Sequence, residues 1–357
     1  MKKACISTYC NWSSYGSILQ ALGLKLTLRQ LGIESFVVED TPAPCATKTF
    51  PLVFGRNPKM IIRNFVHNRR RDQKRKHYEN TVRFINENLD VEYYNDYEAV
   101  KKSPPVADYY IAGSDQIWHP ELCKPVFFLD FLSQKHQRLS YAASMGVTDV
   151  PPEREEIFAR MISQFTTHSV RECDVKTVVE KYTTNNVQTH IDPTFLQSAD
   201  TWRQYSKPYP VTKPYILVYA IYWDKSLNQK LKELHKKTGF DIIALGTGFP
   251  VVWSTNWILD ADPAQFLWLI DHAEAVVSSS FHGIAFSLIF NKKLSAVINP
   301  QSPSRVDNIL SLLDYKNVAI DNLLTKNTNQ YTIVNQCIAE QKQKSLQYLK
   351  EILQIYE

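Results

Sequence analysis

The chain is predicted to fold as an α/β protein, with two doubly wound, Rossmann-like domains facing a central cleft. Three observations predict it. Short apolar runs alternate with helical patterns through both halves, which is how parallel strands joined by crossover helices read in sequence. The alternation lapses around Ile191-Asp192-Pro193 and from Tyr205 to Pro214, where four prolines suit a connection between domains. The apolar runs tend to end on small or polar residues, and ligands of open α/β sheets bind at such strand ends. A length of 357 residues with 44% hydrophobic and 22% charged residues fits two ordinary globular domains. The expected division is 1–195, 205–330 and a C-terminal helix over 331–357.

In the first half, Ala4 to Thr8 reads as a strand and Asn11 to Tyr15 as a polar turn. A helix follows from Gly16, with Ile18, Leu19, Leu22, Leu26 and Leu31 on its apolar face. Ser35 to Glu39 is the next strand, and a basic helix is expected over 56–89. Further strands are expected at Asp108 to Ala112, Leu139 to Ser144 and Ser169 to Arg171, with helices at Pro151 to Gln164 and Val175 to Lys181. The second half repeats the alternation. Strands are expected at Tyr215 to Ile221, Asp241 to Leu245, Ala275 to Ser278 and Leu294 to Ile298. Helices are expected at Leu227 to Lys237, Pro263 to Ala273, after His282, at Arg305 to Leu313, and from Tyr331 onward.

Six cysteines are scattered without a C-x-x-C pair, as expected of reduced thiols in a cytoplasmic protein. The N-terminus lacks the apolar core of a signal peptide, and no apolar run has the length of a bilayer span. The net charge of +5 is concentrated. Between Arg56 and His77 nine lysines and arginines face a single acid, Asp72, with Met60, Ile61, Ile62 and Phe65 among them. Such a segment suits either an anionic membrane surface or a solvated helix face. No nucleic-acid motif accompanies it.

The densest chemical signal is Ser278-Ser279-Ser280-Phe281-His282-Gly283. A buried strand breaks into serines and a helix begins at the histidine. A helix N-terminus favours an anion, and an imidazole beside it is suited to proton transfer near neutral pH. The competing reading is a capped helix with a satisfied polar residue. Gly113-Ser114-Asp115-Gln116-Ile117-Trp118 follows another strand. Asp115 there reads as a base or hydroxyl acceptor, or equally as an Asx-turn acceptor. Gln116 offers hydrogen bonds in both directions and Trp118 an apolar platform for a sugar face. Ser144 ends the Leu139 to Ser144 strand. Arg171, at a strand end, and Arg305, at a helix start, suit bidentate contact to carboxylate or phosphate. G-x-G-x-x-G, Walker and G-x-S-x-G motifs are absent, and the histidines show no metal-ligand spacing, so neither a metal nor a cofactor is expected.

The order and spacing of several short motifs resemble the polysaccharide pyruvyl transferases. These are Tyr15-Gly16-Ser17-Ile18-Leu19-Gln20, Gly113 to Trp118, Tyr141-Ala142-Ala143-Ser144-Met145-Gly146, Ser169-Val170-Arg171-Glu172, Asp192-Pro193, and Ser280 to Gly283 followed by Phe290-Asn291-Lys292-Lys293. The resemblance implies a GT-B-like fold and transfer of pyruvate from phosphoenolpyruvate to two hydroxyls of a sugar. The acceptor would be a precursor of a capsule or exopolysaccharide, often lipid-linked, met by a cytoplasmic enzyme lying peripherally on the membrane. It implies that Arg171, Ser279, Ser280, Phe281, His282, Gly283 and Arg305 hold the donor. Asn11, Tyr15, Gly16, Asp115, Gln116, Trp118 and Ser144 would receive the acceptor, with His282 and Asp115 catalytic. One departure stands out: many members read Arg-Leu-His-Gly where this chain has Ser280-Phe281-His282-Gly283. Arg171 and Arg305 are expected to compensate. Two other functions remain open on the same architecture: a nucleotide-sugar glycosyltransferase, and a non-catalytic glycan or anionic-lipid binding protein.

Overall fold

The structure is a computed structural model that describes residues 2–10, 12–45, 70–222, 224–246, 253–299, 304–324 and 330–355. Asn11 and residues 56–69 of the basic segment lie outside the described residues.

The first sheet contains β1 (Lys3–Ser7), β2 (Glu34–Glu39), β3 (Val91–Tyr93), β4 (Tyr109–Ala112) and β5 (Leu139–Ser140), in the order β3-β2-β1-β4-β5. The second contains β8 (Tyr215–Tyr219), β9 (Asp241–Leu245), β10 (Asn256–Ile258), β11 (Ala275–Ser278) and β12 (Leu294–Ala296), in the order β10-β9-β8-β11-β12. Every pairing in both is parallel. The repeated order places a topological switch point between β1 and β4 and another between β8 and β11, where loops diverge and a ligand crevice opens. A short parallel pair, β6 (His168–Val170) and β7 (Val187–Thr189), extends the first sheet. It does so through single bridges from Ala143 to Asp115 and to Val170. The strand expected over Leu139 to Ser144 stops at Ser140 because Ala142 takes a left-handed φ of 49°.

The Tyr15–Gln30 helix is buried almost all round rather than on one face. One side covers the first sheet. Another meets the Pro193–Leu196 turn so closely that a Cβ on Gly23 would lie 2.6 Å from the Pro193 carbonyl oxygen. Gln20, buried in this helix, donates to Thr8 Oγ1 (2.9 Å), the Tyr9 carbonyl (3.2 Å) and the Ser17 carbonyl (2.8 Å), and so fixes the loop leaving β1. Tyr15 stacks on Phe266 at 4.8 Å and donates to the Ala261 carbonyl at 3.1 Å, joining the two halves. His77 reaches the same carbonyl at 2.6 Å.

The Arg71–Asn88 helix is the described end of the basic segment. Its cations are partly committed within the fold. Arg70 lies over the Trp257 ring at 4.0 Å, and Arg75 faces Asp72 and Glu79. No helix among the described residues is long and apolar enough to cross a membrane.

The Tyr331–Ile352 helix returns from the second half to the first. Tyr331 donates to the Lys292 carbonyl at one end. At the other, Tyr348 donates to the Ser140 carbonyl at 2.9 Å, and Tyr109 to the Leu353 carbonyl at 2.7 Å. Between them His190 stacks on Tyr348 at 4.2 Å and on Tyr141 at 6.1 Å, with Nδ1 2.8 Å from Ser169 Oγ. Burial, with Lys344 adding to it, lowers the His190 pKa from 6.5 to about 3. Below pH 6.5 the unfolded chain therefore binds a proton that the folded chain refuses. This contribution is complete above 6.5 and is lost as pH falls toward 3, at about 1.4 kcal/mol per pH unit. Urea unfolding followed between about pH 7 and about pH 5 should show a pH slope shallower by roughly one proton in His190→Asn than in the wild type. Parallel slopes would contradict it.

Candidate active site

The site forms where β11 ends and the Phe281–Ile289 helix begins, pressed against the start of the Tyr15–Gln30 helix. Ser278 Oγ donates to the Tyr219 carbonyl (2.7 Å) and accepts from the Ser280 amide (3.1 Å). Ser279 Oγ accepts from the Ile221 and Tyr222 amides, both at 2.9 Å, and donates to the Tyr222 carbonyl at 3.2 Å. These two serines stitch the turn to the end of β8. Ser280 is the N-cap residue, but its side chain makes no capping bond and lies beside the Tyr219 phenol. The first-turn amides of such a helix have no intrahelical acceptor and remain available to an anion. A Cβ on Gly283 would overlap Ser278 Oγ and lie 2.9 Å from Tyr219 Cδ1, so glycine lets the helix start this close to the sheet.

His282 is 8% exposed. A Cβ on Gly16 would overlap its ring, so the imidazole lies directly over the Gly16 backbone. Its Nε2 stands 3.7 Å from Asp192 Oδ2, beyond hydrogen-bond length, and has no other partner among the described residues. Asp192 is fully buried. Its Oδ1 accepts from the Thr194 amide (3.0 Å) and Thr194 Oγ1 (2.8 Å), and its Oδ2 from Ser114 Oγ (3.0 Å) and Arg171 Nη1 (2.9 Å). Burial alone would raise this carboxyl. His282, Arg171 and the Thr194 amide outweigh burial and hold it below the ordinary aspartate range.

Arg171 is enclosed. Nε donates to Glu172 Oε1 at 2.8 Å, and its guanidinium lies 4.0 Å from the Phe281 ring centre. Ser144 Oγ donates to the same Glu172 oxygen at 3.0 Å. Arg171 Nη2 and Glu172 Oε2 are buried without a partner among the described residues. Arg305 arrives from the Ser304–Leu312 helix and has no carboxylate at ion-pair distance among the described residues. Its Nε is also unpartnered. With the Gln116 amide oxygen turned toward it, Arg305 Nη2 donates at 3.1 Å. Burial first, then Arg171, lowers the Arg305 pKa, as for a cation held beside another cation. A cleft of about 440 Å³ opens here, lined by Arg171, Glu172, Asp192, Phe281, Arg305 and Asn308 among others. Two cations with unmet donors, beside a helix N-terminus, are suited to a small polyanion.

The structure thus brings Gly16, Gln116, Arg171, Phe281, His282 and Arg305 together. Other expected residues serve differently. Asp115 adopts a left-handed φ of 71° and its Oδ1 accepts from the Gln116 amide at 2.9 Å, a local turn contact. Trp118 is fully buried between Phe128 and Phe165, so no ring face remains for a sugar. Tyr15 is 3% exposed and holds the two halves together. Ser144 supports Glu172, and Ser279 supports the turn. Arg171 is neutralised by two carboxylates, so Arg305 is better placed to meet an anion. Asp192, Glu172, Ser114 and Thr194 were not singled out as site residues from sequence. Their roles depend on partners far along the chain; Asp192-Pro193 as a motif was the available signal. Among the described residues no group of three or more His, Cys, Asp or Glu is arranged to hold a metal ion.

Residues 15–299 match the polysaccharide pyruvyl transferase family, and the chain belongs to it. It is a transferase. Comparison with curated proteins gives no match. Among solved structures, the fold is similar to that of S. aureus MnaA with UDP, at 10% identity and TM-score 0.56, covering 100% of this chain and 98% of that one. Arabidopsis thaliana UGT89C1 with quercetin is similar at 12% identity and TM-score 0.52, covering 98% of each chain. The UDP-GlcNAc 2-epimerase of Methanocaldococcus jannaschii is similar at 10% identity and TM-score 0.51, covering 100% of each chain. These likenesses show the GT-B-like fold.

The Gly16 contact is testable. Gly16→Ala should displace the His282 ring and lower turnover by at least about tenfold, a typical share for a positioned acid–base group. Its melting transition should remain cooperative. Turnover equal to wild type would show that the ring position is immaterial.

Proposed function

We propose that this polysaccharide pyruvyl transferase moves the pyruvyl group of phosphoenolpyruvate onto two hydroxyls of a sugar, closing a cyclic ketal on a lipid-linked surface-polysaccharide precursor. The observation that carries the reading is His282 held between Gly16 and Asp192 at a helix N-terminus, with Arg171 bonded to the same Asp192 and Arg305 lining the cleft with both.

Phosphoenolpyruvate carries a phosphate and a carboxylate on an enol carbon, so its site needs two anion-binding features and a proton donor. The amides of Phe281 to Gly283 and the helix dipole suit one anionic group. Arg305 suits the other, with Gln116 orienting its guanidinium. Protonation of the methylene carbon makes the adjacent carbon cation-like, and a sugar oxygen bonds to it. The carbon–oxygen bond to phosphate then breaks, and the second sugar oxygen takes its place. Of the two hydroxyl protons released, one balances the proton taken up by the new methyl group and the other leaves with phosphate. His282 is the group proposed to carry a proton in this sequence, and the Asp192 carboxylate, 3.7 Å from its Nε2, is the charge that faces it. Asp115 Oδ2 remains as the candidate acceptor of a sugar hydroxyl proton.

The lipid-linked acceptor implies work at the cytoplasmic face of a membrane. Docking through 56–76 would draw on four cations with Met60, Ile61, Ile62 and Phe65 in 56–69, outside the described residues, and on five cations in 70–76. At its described end, Arg70 and Arg75 already have partners within the fold.

Acceptor-dependent phosphate release from phosphoenolpyruvate tests the reading. Nucleotide release from a nucleotide sugar under the same conditions would instead favour a glycosyltransferase. His282→Ala should abolish transfer while leaving a cooperative melt; activity within about tenfold of wild type would remove it from the mechanism. The two arginines should separate. Arg305→Ala should raise the KM for phosphoenolpyruvate by about tenfold to a hundredfold, the loss of a charge-assisted contact. Arg171→Ala strands Glu172 and Asp192 in the interior and should cost about 3–5 kcal/mol of stability. Unfolding by urea would measure it, and an undiminished midpoint would show that the network is not structural.

A further inference from the structure

A second cavity lies over the C-terminal ends of β1, β2 and β3, enclosing about 1070 Å³. We propose that it is the acceptor saccharide subsite, with Tyr9, Trp12, Tyr93 and Phe127 presenting ring surface to a pyranose and Glu39 binding its hydroxyls. This rests on the pyruvyl-transfer reading and gives the acceptor a different place from the residues that the resemblance implies. Of the residues expected to bind it, Tyr15, Trp118 and Ser144 are buried and occupied elsewhere.

The walls have the right chemistry. Tyr9 packs on Phe127 with ring centres 4.4 Å apart, and Trp12 meets Tyr78 edge-on at 4.9 Å. Trp12, Tyr9 and Tyr93 are each only partly buried, so ring surface remains for a ligand. Pyranose C–H faces stack on such rings, while a few polar groups fix orientation. Glu39 ends β2, the position from which an acidic residue holds a sugar diol in doubly wound sheets. Its Oε1 accepts from the Cys10 amide at 3.1 Å, and no bond to Oε2 occurs within the described residues. Burial lifts the carboxyl to about 7, with the Cys10 amide and Lys124 opposing the rise, so near neutral pH it can both donate and accept.

Tyr9 lies in the field of acids on both of its sides: after burial, Asp115 raises its phenol pKa, and Glu39 and Asp40 add to the rise. A nucleotide fits less well. The sequence from Tyr9 to Ser14 has no glycine through which a backbone could approach a diphosphate, and among the described residues Lys124 is the lining cation, already facing Glu39.

Saturation-transfer NMR on the full chain, without phosphoenolpyruvate, tests the subsite. The probes are the methyl pyranosides of glucose, galactose, mannose, N-acetylglucosamine and N-acetylmannosamine, with UDP alongside. At least one pyranoside should bind, and Glu39→Gln should weaken it about tenfold, as loss of a charge-assisted contact does. Tyr93→Ala, on an edge strand, should weaken it as well, with both variants melting as the wild type does. Binding by none of the five, binding of UDP in their place, or binding indifferent to both substitutions would overturn the proposal. Saccharide binding that meets these expectations in a protein releasing no phosphate from phosphoenolpyruvate would instead refute the pyruvyl-transfer reading and leave the subsite standing.

Discussion

The buried carboxylate of Asp192 is the constraint on which the site depends. A fully enclosed charge is tolerable when its oxygens are matched, and Asp192 draws its partners from three places. Ser114 comes from the loop after β4, Arg171 from the end of β6, and Thr194 from the turn that Asp192 itself begins. Those bonds fix the loops at the rim of the first sheet relative to each other. Arg171 in turn fixes Glu172, and Glu172 holds Ser144. What remains of the negative field points across the cleft at His282. The network therefore does two jobs with one charge, ordering one rim and facing the imidazole of the other.

Close backbone approach makes that long-range pairing possible. Gly16 and Gly283 sit in the first turns of two different helices, and each has a neighbour where a Cβ would be. Gly283 lets its helix begin against the strand ends of the second sheet, and Gly16 admits the histidine ring of that helix to the first. Side chains at either position would push the helix starts apart and take His282 away from Asp192. Tyr15, beside Gly16, stacks on Phe266 and bonds to Ala261, so the same turn that admits the ring also anchors the two halves. The separation of the sheets at the cleft is thus set by apolar packing a single residue away from the chemistry.

Much of this was legible in sequence, for physical reasons that also mark the limits. β1, β8 and β11 are buried strands of parallel sheets and read as apolar runs. Val91-Glu92-Tyr93 and Asn256-Trp257-Ile258 are three-residue edge strands carrying polar side chains, and no run announces them. The serine turn and His282 were visible because a strand end, a helix start and an acid–base group coincide within six residues. Trp118 and Tyr15 misled because an aromatic after a strand end looks like a ligand platform, whereas burial is decided by chain far away: Phe165 for one, Phe266 for the other. Asp192 shows the converse. Its partners Arg171 and Ser114 lie 21 and 78 residues away, beyond any local pattern.

The serine at position 280 follows from the same geometry. Its side chain is 8% exposed between the Ser278 turn and the Tyr219 ring, space suited to a hydroxyl. A guanidinium entering from there would need its own acceptors in an interior already committed to the β8 loop. Arg305 instead reaches the cleft from the Ser304–Leu312 helix, where Gln116 is its partner and Gly146 gives that glutamine room. A Cβ on Gly146 would lie 2.6 Å from the Gln116 side chain. Gln116 and Gly146 belong to the first half of the chain and Arg305 to the second, so the cation is oriented across the cleft rather than from the turn that carries the histidine.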